Sequence, residues 1–320
     1  MSTKIVFLDK GSIPAHISFK KMSSQYDWIE YGQTSSEDII ERCIDADIVI
    51  TNKVVLTAEI ISTLPALKHI AVIATGFNNV DTEYCKTHNI SVSNTPGYSV
   101  TSVPEHTFAL IFSLRRHLFA YHNSVMNGDW TQSAYFHGYL SQTFDLKDAQ
   151  LGIIGGGSLG QATAAMGRAL GLRVVFADRK NQPSSHKSTY LAFDELISSS
   201  DIISLHCPLT TETENLITLT EFKKMKSNAL LINTARGGLV DERDLVVALN
   251  EKLIAGAGFD VATSEPIPKD NVLLSLKSNP NFILTPHVGW SSDSSLQCQA
   301  DMVVNNIGCF LENKPLNLVT

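Results

Sequence analysis

Short apolar runs rich in β-branched residues alternate with segments of helical pattern along most of the chain. The runs cover residues 5–8, 48–51, 70–74, 90–92, 174–177, 202–205, 230–233, 257–260 and 282–285, with a further run starting at 151. Those in the second half are almost entirely apolar, as in parallel strands that helices cover on both faces. The pattern therefore predicts the α/β class, with two doubly wound parallel-sheet domains.

One segment between the two sets of strands has a different pattern. Ser102 and Glu105 have the spacing of a capping box, and Pro104 between them suits a first helical turn, where the amides have no intrahelical acceptor. The apolar pattern then continues past Arg115 towards Met126. We expect one long helix here.

Composition fits a protein with a real core and excludes several classes of partner. The chain has 320 residues, of which 43% are hydrophobic and 18% charged, enough for two domains. Its formal net charge is −7, without a local basic cluster, which argues against a nucleic-acid or anionic-membrane partner.

Cysteine spacing and the first residues indicate a cytoplasmic location. The five cysteines are scattered without paired spacing, which suits reduced thiols better than a disulfide framework or a zinc site, so no metal is expected. The N-terminal residues lack the apolar region of a signal peptide, and no run is long enough to span a bilayer.

The first strand of the second half leads into a glycine-rich loop. Gly155, Gly157 and Gly160 form the pattern GxGxxG and are followed by small residues of helical type. In a dinucleotide-binding loop these glycines allow a tight turn, close approach to a pyrophosphate and close packing of helix on strand. The pyrophosphate would lie at the helix N-terminus. The loop alone leaves flavin or S-adenosylmethionine open.

An acidic residue beyond this loop favours NAD. Asp178 follows the next strand, near the spacing of about 20 residues at which a carboxylate binds the adenosine ribose. A carboxylate accepts from a free 2′-hydroxyl and repels a 2′-phosphate. Arg179 beside it would be the residue to tolerate the phosphate of NADP, although a solvated or adenine-stacking arginine is the simpler interpretation.

Three charged residues follow strands of the second half. Arg236, Glu265 and His287 can converge, because the carboxyl ends of parallel strands line one crevice. An arginine can anchor a carboxylate by bidentate pairing, and a histidine can donate a proton near neutral pH. A glutamate behind the imidazole would orient it and favour its charged form. Together they suit reduction of a 2-keto acid, or oxidation of the hydroxy acid in reverse.

Several motifs together resemble the D-isomer-specific 2-hydroxyacid dehydrogenase family over nearly the whole chain. They are TGFNNVD at 75–81, NTPG at 94–97, the glycine loop, HCPL at 206–209, NTARG at 233–237, GFDV at 258–261, EP at 265–266 and TPH at 285–287. The resemblance implies that Arg236 binds the substrate carboxylate, Glu265 supports the histidine and His287 is the proton donor. Thr75 and Gly76 would meet the carboxylate through their backbone.

The resemblance also implies a set of cofactor residues. Asp260 would accept from the nicotinamide carboxamide. The other residues expected to line NAD are Gly155, Gly157, Ser158, Leu159, Gly160, Asp178, Cys207, Thr213, Thr234, Ala235, Arg236, His287 and Gly289.

The same resemblance implies a domain layout and a partner. A discontinuous, flavodoxin-like substrate domain would comprise residues 1–101 and 288–320, around a Rossmann NAD domain at 102–287. Members of the family commonly form homodimers through the NAD domain, a role that the long helix beginning near Val103 would suit.

Asn52, Lys53 and the segment GWSS at 289–292 resemble the glycerate dehydrogenase (hydroxypyruvate reductase) branch. We therefore expect hydroxypyruvate or glyoxylate as substrate. D-lactate dehydrogenase or another 2-keto acid reductase is the sibling alternative, and formate dehydrogenase is disfavoured because that branch has glutamine at the position of Glu265. A non-enzymatic, NAD-sensing protein like the corepressors built on this fold is the alternative from another class.

Overall fold

The computed structural model describes residues 2–20, 26–182 and 188–320, and the chain divides into two compact units. The first unit comprises Met1–Tyr98 and Ser291–Thr320, and the second comprises Ser99–Trp290. The assignment of residues 1–101 and 288–320 to substrate binding and of residues 102–287 to NAD binding stays a prediction.

The first unit is a five-stranded parallel sheet with helices. The strands are β1 (Thr3–Phe7), β2 (Tyr26–Glu30), β3 (Ile48–Thr51), β4 (His69–Val72) and β5 (Ser91–Ser93), in the order β2-β1-β3-β4-β5. This is the flavodoxin-like order. Its helices are α1 (Ile39–Cys43), α2 (Ala58–Ser62), α3 (Thr82–Thr87) and α10 (Asp293–Leu311), with a 3₁₀ turn at Lys10–Ser12.

The second unit has a seven-stranded parallel sheet in the order β12-β11-β10-β9-β6-β7-β8. Its strands are β6 (Gln150–Ile154), β7 (Arg173–Ala177), β8 (Tyr190–Leu191), β9 (Ile202–Leu205), β10 (Leu230–Asn233), β11 (Gly256–Phe259) and β12 (Phe282–Leu284). Counted from β6, this order is that of the Rossmann fold with one more strand. The predicted fold class is confirmed.

Helices surround this second sheet. They are α4 (Ser102–Arg115), α5 (Leu118–Met126), α6 (Ser158–Ala169), α7 (Phe193–Ser199), α8 (Leu219–Phe222) and α9 (Glu242–Asn250), with 3₁₀ turns at Trp130–Gln132, Gly237–Leu239 and Val272–Leu276. Apolar residues of α4 and α6 pack with the strands on one side, and those of α7, α8 and α9 pack in a second cluster. The strands of the sheet centre are buried, which explains why they form continuous apolar runs.

The prediction of one long helix after Ser102 was wrong. The segment forms α4 and α5, separated at Arg116 and His117. His117 has a φ of 50°, in the left-handed region that ends a right-handed helix. Its backbone N–H donates to the carbonyl of Leu114, which closes the last turn of α4. No residue of α5 is buried, so its apolar pattern is not that of a core helix.

The predicted capping box was also wrong. Ser102 is the first residue of α4 rather than its N-cap, and the side chain of the actual N-cap, Thr101, makes no capping hydrogen bond. The amides of Val103 and Glu105 instead donate to the carbonyls of Ser99 and Thr101. The preceding turn therefore supplies the acceptors, and Pro104 still lies in the first helical turn.

None of the described helices is both long and apolar enough to cross a membrane. The five cysteines are all unpaired, and Cys43 and Cys85 are buried. Within the described part of the chain, no group of His, Cys, Asp and Glu side chains could hold a metal ion.

Candidate active site

His287 and Glu265 form a close pair in the second unit. His287 Nδ1 lies 2.6 Å from Glu265 Oε2, while Glu265 Oε1 accepts from the backbone N–H of Ala262 at 3.0 Å. An ionised carboxylate can only accept, so Nδ1 carries a proton and Nε2 is the nitrogen left for chemistry. In the part of the chain that the structure describes, Nε2 has no hydrogen-bond partner.

The backbone at His287 adopts an uncommon conformation that its neighbours hold. Its φ is 55°, in the left-handed region that few residues other than glycine adopt. The His287 N–H donates to the carbonyl of Asp260 at 2.8 Å, and the indole Nε1 of Trp290 donates to the carbonyl of His287 at 2.8 Å. Both backbone groups of the histidine are thus fixed.

Asp260 organises the residues on either side of His287. Its carboxylate, 2% exposed, accepts from the Thr285 hydroxyl at 2.5 Å and from the amides of Val288 at 2.9 Å and Gly289 at 2.7 Å. Burial opposes ionisation, but the hydrogen bonds from these groups and from His106 outweigh it and hold the pKa of Asp260 below its ordinary value. Asp260 is therefore a buried carboxylate, and its predicted contact with nicotinamide stays a prediction.

Arg236 follows β10, which pairs with β11, the strand before Glu265, while β12, the strand before His287, pairs with the other edge of β11. The buried Asn233 side chain holds this turn, because its amide donates to the carbonyl of Arg236 at 2.8 Å and its oxygen accepts from the N–H of Ala235. A Cβ at Gly237 would lie 1.9 Å from the carbonyl carbon of Ala262. The turn carrying Arg236 therefore packs directly on the loop carrying Glu265, and only glycine fits between them.

The glycine loop connects β6 to α6 as predicted. Gly155 has a φ of 108°, and a Cβ there would lie 2.5 Å from the backbone nitrogen of Cys207. A Cβ at Gly160 would lie 1.9 Å from the carbonyl oxygen of Gly155. Around Gly157, the N-cap of α6, there is open space, and no side chain of the described residues caps the helix. The amides there fit an anionic group such as a pyrophosphate.

A cavity of about 650 Å³ extends from this loop along the carboxyl ends of β6, β7 and β9. It is lined by several of the predicted cofactor residues: Gly155, Gly157, Asp178, Cys207 and Thr213. The Asp178 residue is 7% exposed. Arg179, which also borders the cavity, is exposed. Thr213 Oγ1 donates to the carbonyl of Pro208 at 2.7 Å and so shapes one wall.

The remaining predicted cofactor residues lie along the same edge of the sheet. Ser158, Leu159 and Gly160 form the first turn of α6, Thr234, Ala235 and Arg236 follow β10, Asp260 follows β11, and His287 and Gly289 follow β12.

Two titratable groups beside the cavity are uncharged near neutral pH. Burial lowers the pKa of His206 to about 4, and its Nε2 is 2.8 Å from the hydroxyl of Ser204. Burial also raises the pKa of the Cys207 thiol to about 11. His206 and Cys207 therefore place no charge next to a bound dinucleotide.

Thr75 and Gly76 lie in the first unit, in the turn after β4. Asn94 Nδ2 donates to the carbonyl of Thr75 at 2.8 Å, and the Thr75 hydroxyl donates to the carbonyl of Thr95 at 3.1 Å. Among the described residues, the amides of Thr75 and Gly76 find no acceptor. Two adjacent, uncommitted N–H groups suit the predicted binding of a carboxylate.

Sequence reasoning missed the residues that support these groups. Asn233 and Trp290 hold the backbone of the arginine and the histidine, and Asp9 accepts from the amides of Asn52 and Lys53 in the first unit. His106 was overlooked because it follows the segment interpreted as a capping box. Asn233 stands in a recognised motif, but nothing in the sequence alone indicates that its side chain bonds the turn.

The second unit matches the family model described as D-isomer specific 2-hydroxyacid dehydrogenase, NAD binding domain, over residues 108–289. The chain is 42% identical to the glycerate dehydrogenase of Methylorubrum extorquens, covering 100% of this chain and 99% of that protein. It is 38% identical to the hydroxypyruvate reductase of Blautia hydrogenotrophica, covering 99% of this chain and 99% of that protein.

Solved structures share the fold. The D-lactate dehydrogenase of Aquifex aeolicus, complexed with NAD and lactic acid, superposes with a TM-score of 0.84 at 30% identity, covering 98% of both chains.

Proposed function

Because the chain belongs to the D-isomer-specific 2-hydroxyacid dehydrogenase family, we propose that it reduces hydroxypyruvate or glyoxylate to the hydroxy acid with NADH, and catalyses the reverse reaction with NAD. The observation that carries the proposal is the contact of 2.6 Å between His287 Nδ1 and Glu265 Oε2. It fixes one imidazole nitrogen on a carboxylate and leaves the other available for proton transfer.

His287 acts as the acid in reduction and as the base in oxidation. In reduction, Nε2 donates its proton to the carbonyl oxygen of the keto acid, and Glu265 stabilises the imidazolium from which the proton leaves. In oxidation, Nε2 takes the hydroxyl proton. NADH, when bound, supplies the hydride to the carbonyl carbon, and NAD accepts it in reverse.

The second unit holds the substrate through Arg236. Its guanidinium pairs with the substrate carboxylate and polarises the carbonyl, since its planar fork matches a carboxylate. In the first unit, the amides of Thr75 and Gly76 have no acceptor among the described residues and suit a carboxylate.

The residues along the carboxyl edge of the second sheet bind NAD. The amides at the start of α6 hold the pyrophosphate, because they are uncapped and face open space at Gly157. Asp178 accepts from the adenosine ribose and disfavours a 2′-phosphate. Cys207 and Thr213, which border the cavity, would line the dinucleotide. The Asp260 carboxylate, which accepts from the amide of Gly289, would accept from the nicotinamide carboxamide.

The substrate class follows from the relatives and from the segment after the histidine. The two proteins above, at 42% and 38% identity over almost full length, are named for glycerate and hydroxypyruvate. Trp290, in the segment GWSS, donates to the backbone of the proton donor itself. We therefore assign the small, polar 2-keto acids in preference to bulky apolar ones.

The test is to mix the purified protein with NADH and to follow the NADH absorbance after addition of hydroxypyruvate, glyoxylate, pyruvate or a bulky 2-keto acid, each in a separate assay. We expect the fastest NADH loss with hydroxypyruvate or glyoxylate, and much slower loss with NADPH. Better turnover of pyruvate would contradict the substrate assignment in favour of a D-lactate dehydrogenase. No turnover with any keto acid, despite measured NADH binding, would indicate a non-enzymatic binding protein.

The second unit also has an apolar surface that fits a second copy of the chain. The helix α5 buries none of its residues, and the segment after it exposes further large apolar side chains. The exposed residues are Leu118, Phe119, Val125, Met126, Trp130, Tyr135, Phe136, Tyr139 and Leu140, with Phe136 90% exposed. Because monomers rarely expose large apolar patches, we propose a homodimer formed through this unit.

We expect the wild-type chain to elute with twice its monomer mass in size-exclusion chromatography with light scattering. Changing Phe119→Lys together with Met126→Lys should give monomers, because a charge on each side chain opposes burial. A matched control, Ile40→Lys together with Val55→Lys, places charges on exposed apolar positions of the first unit and should leave the dimer intact. A monomeric wild-type protein would contradict the proposal.

We also propose a cytoplasmic location. The five cysteines are unpaired, and Cys43 and Cys85 are buried as thiols, which suits a reducing compartment. Recovery of activity with the cytoplasmic fraction of the source cells tests this, and recovery with an exported fraction would contradict it.

A further inference from the structure

His106 on α4 lies beside the segment that carries the proton donor. Its Nε2 is 2.9 Å from the hydroxyl oxygen of Thr285 and 3.4 Å from Asp260 Oδ1. The side chain is 20% exposed, and Asp260 is the charged group that it faces within the described structure. His106 has no part in the chemistry proposed above.

The proton positions along this contact can be deduced. Thr285 has a single hydroxyl proton. Because its oxygen lies 2.5 Å from the ionised Asp260, which can only accept, the Thr285 hydroxyl donates that proton in the hydrogen bond to the carboxylate. The Thr285 oxygen can then only accept from His106, so Nε2 of His106 is the donor. The result is a directed chain from the His106 N–H to the Thr285 hydroxyl to the Asp260 carboxylate.

This chain ends on the group that shapes the backbone around His287. The Asp260 carboxylate accepts from the amides of Val288 and Gly289, directly after His287. The imidazole of His106 also packs on that backbone, since a Cβ at Gly289 would lie 3.2 Å from its Cδ2 and 2.9 Å from Asp260 Oδ2. With His287 at a φ of 55°, the segment needs such support to keep one conformation.

We propose that His106 is a positioning residue for His287. By donating to Thr285 it fixes the hydroxyl that bonds Asp260, and so aligns the carboxylate that holds the backbone after the proton donor. It acts through Thr285 and Asp260 rather than on the substrate. The inference rests on the proposed reduction of a 2-keto acid for its kinetic readout, and on hydrogen exchange for a readout independent of activity.

The test compares His106→Leu, which keeps volume but removes the N–H, with His106→Gln, which keeps a donor near the position of Nε2. We expect His106→Leu to lower kcat for NADH-dependent reduction about 10- to 100-fold, the size of effect that a small misplacement of a reacting group produces. His106→Gln should recover most of kcat, which a purely space-filling role would not explain.

Thr285→Val provides a second, independent variant and a double-mutant cycle. It should reproduce the loss of kcat, and the double variant His106→Leu with Thr285→Val should be no slower than either single variant, because both break one chain. Glu105→Gln, at an exposed neighbouring position on α4, is the control that should leave kcat unchanged. If His106→Leu does not fold, Thr285→Val and His106→Gln still decide the question.

Amide hydrogen exchange separates failure of this inference from failure of the proposed function. In His106→Leu and Thr285→Val we expect faster exchange at Val288 and Gly289, with exchange at the centre of the sheet unchanged. If wild type turns over keto acid but His106→Leu keeps its kcat and its exchange rates, the inference is overturned. If wild type consumes no NADH, the proposed function fails, and exchange alone decides the role of His106.

Discussion

The pairing of His287 with Glu265 determines how the histidine can serve as an acid. The contact of 2.6 Å to Nδ1 places a negative charge where it stabilises the imidazolium. Replacing Glu265→Gln keeps the shape of the side chain and removes its charge. We expect reduction of the keto acid to slow at least about 10-fold.

The measurement is kcat/KM for the keto acid with both proteins, with NADH affinity measured by fluorescence as the control for folding. NADH affinity should be nearly the same. An unchanged kcat/KM in Glu265→Gln would show that the glutamate only fills space beside the imidazole.

The sequence predicts the chemistry at this scale better than it predicts the supports. Three residue types that suit keto-acid reduction follow neighbouring strands, so Arg236, Glu265 and His287 could be chosen without coordinates. The hydrogen bonds that fix them could not be chosen, since Asp260 and His106 reach Thr285 from positions far apart in the chain. Such contacts exist only after the strands and α4 have packed.

The break between α4 and α5 is the clearest feature at the scale of elements. His117 occupies the left-handed region, and its imidazole bonds the carbonyl of Gln142. The variants His117→Gly and His117→Ala both lose that bond and differ in the strain of the backbone. We expect the free energy of unfolding of the glycine variant to be about 1 kcal/mol larger than that of the alanine variant, because only glycine adopts this conformation without cost.

Urea denaturation of the two variants measures the difference. A continuous helix through His117 would reverse the sign, since alanine is favoured over glycine by about 1 kcal/mol within a helix. The experiment therefore decides between the two descriptions of this segment.

At the scale of elements, the sequence predicted the buried strands and missed two of the exposed ones. The central strands were predicted because both faces are covered, which leaves a continuous apolar run in the sequence. The edge strands β2 and β8 were missed, because their residues are partly or fully exposed and carry no such run. The helix break was missed because the apolar pattern continues through α5, although none of its residues is buried.

At the scale of the whole molecule, buried histidines make stability depend on pH. His69 on β4 is fully buried, bonds the hydroxyls of Ser91 and Ser93 and stacks on Phe310, and burial lowers its pKa to about 4. In the unfolded chain the pKa of a histidine is about 6.5. Between these values the unfolded state binds the proton that the folded state excludes.

The contribution of His69 to the free energy of unfolding should therefore have its full value above about pH 6.5 and decrease as the pH falls towards 4. His69 alone accounts for on the order of 3 kcal/mol over this window, and the half-buried His206, whose pKa is also lowered, adds a contribution of the same sign. Denaturant titrations at a series of pH values should show a weaker dependence in His69→Gln, and an unchanged one in the exposed control His122→Gln. Equal pH dependence in wild type and His69→Gln would contradict the burial argument.

The central claim is that His287, held by Glu265, donates the proton when NADH reduces a small 2-keto acid. The most direct test measures NADH consumption with hydroxypyruvate and glyoxylate for wild type and His287→Ala, after NADH binding has been verified for both proteins. The account predicts turnover by wild type with at least one of the two acids, and a loss of about 100-fold or more in kcat for His287→Ala with NADH still bound. Turnover by His287→Ala at the wild-type rate would contradict it.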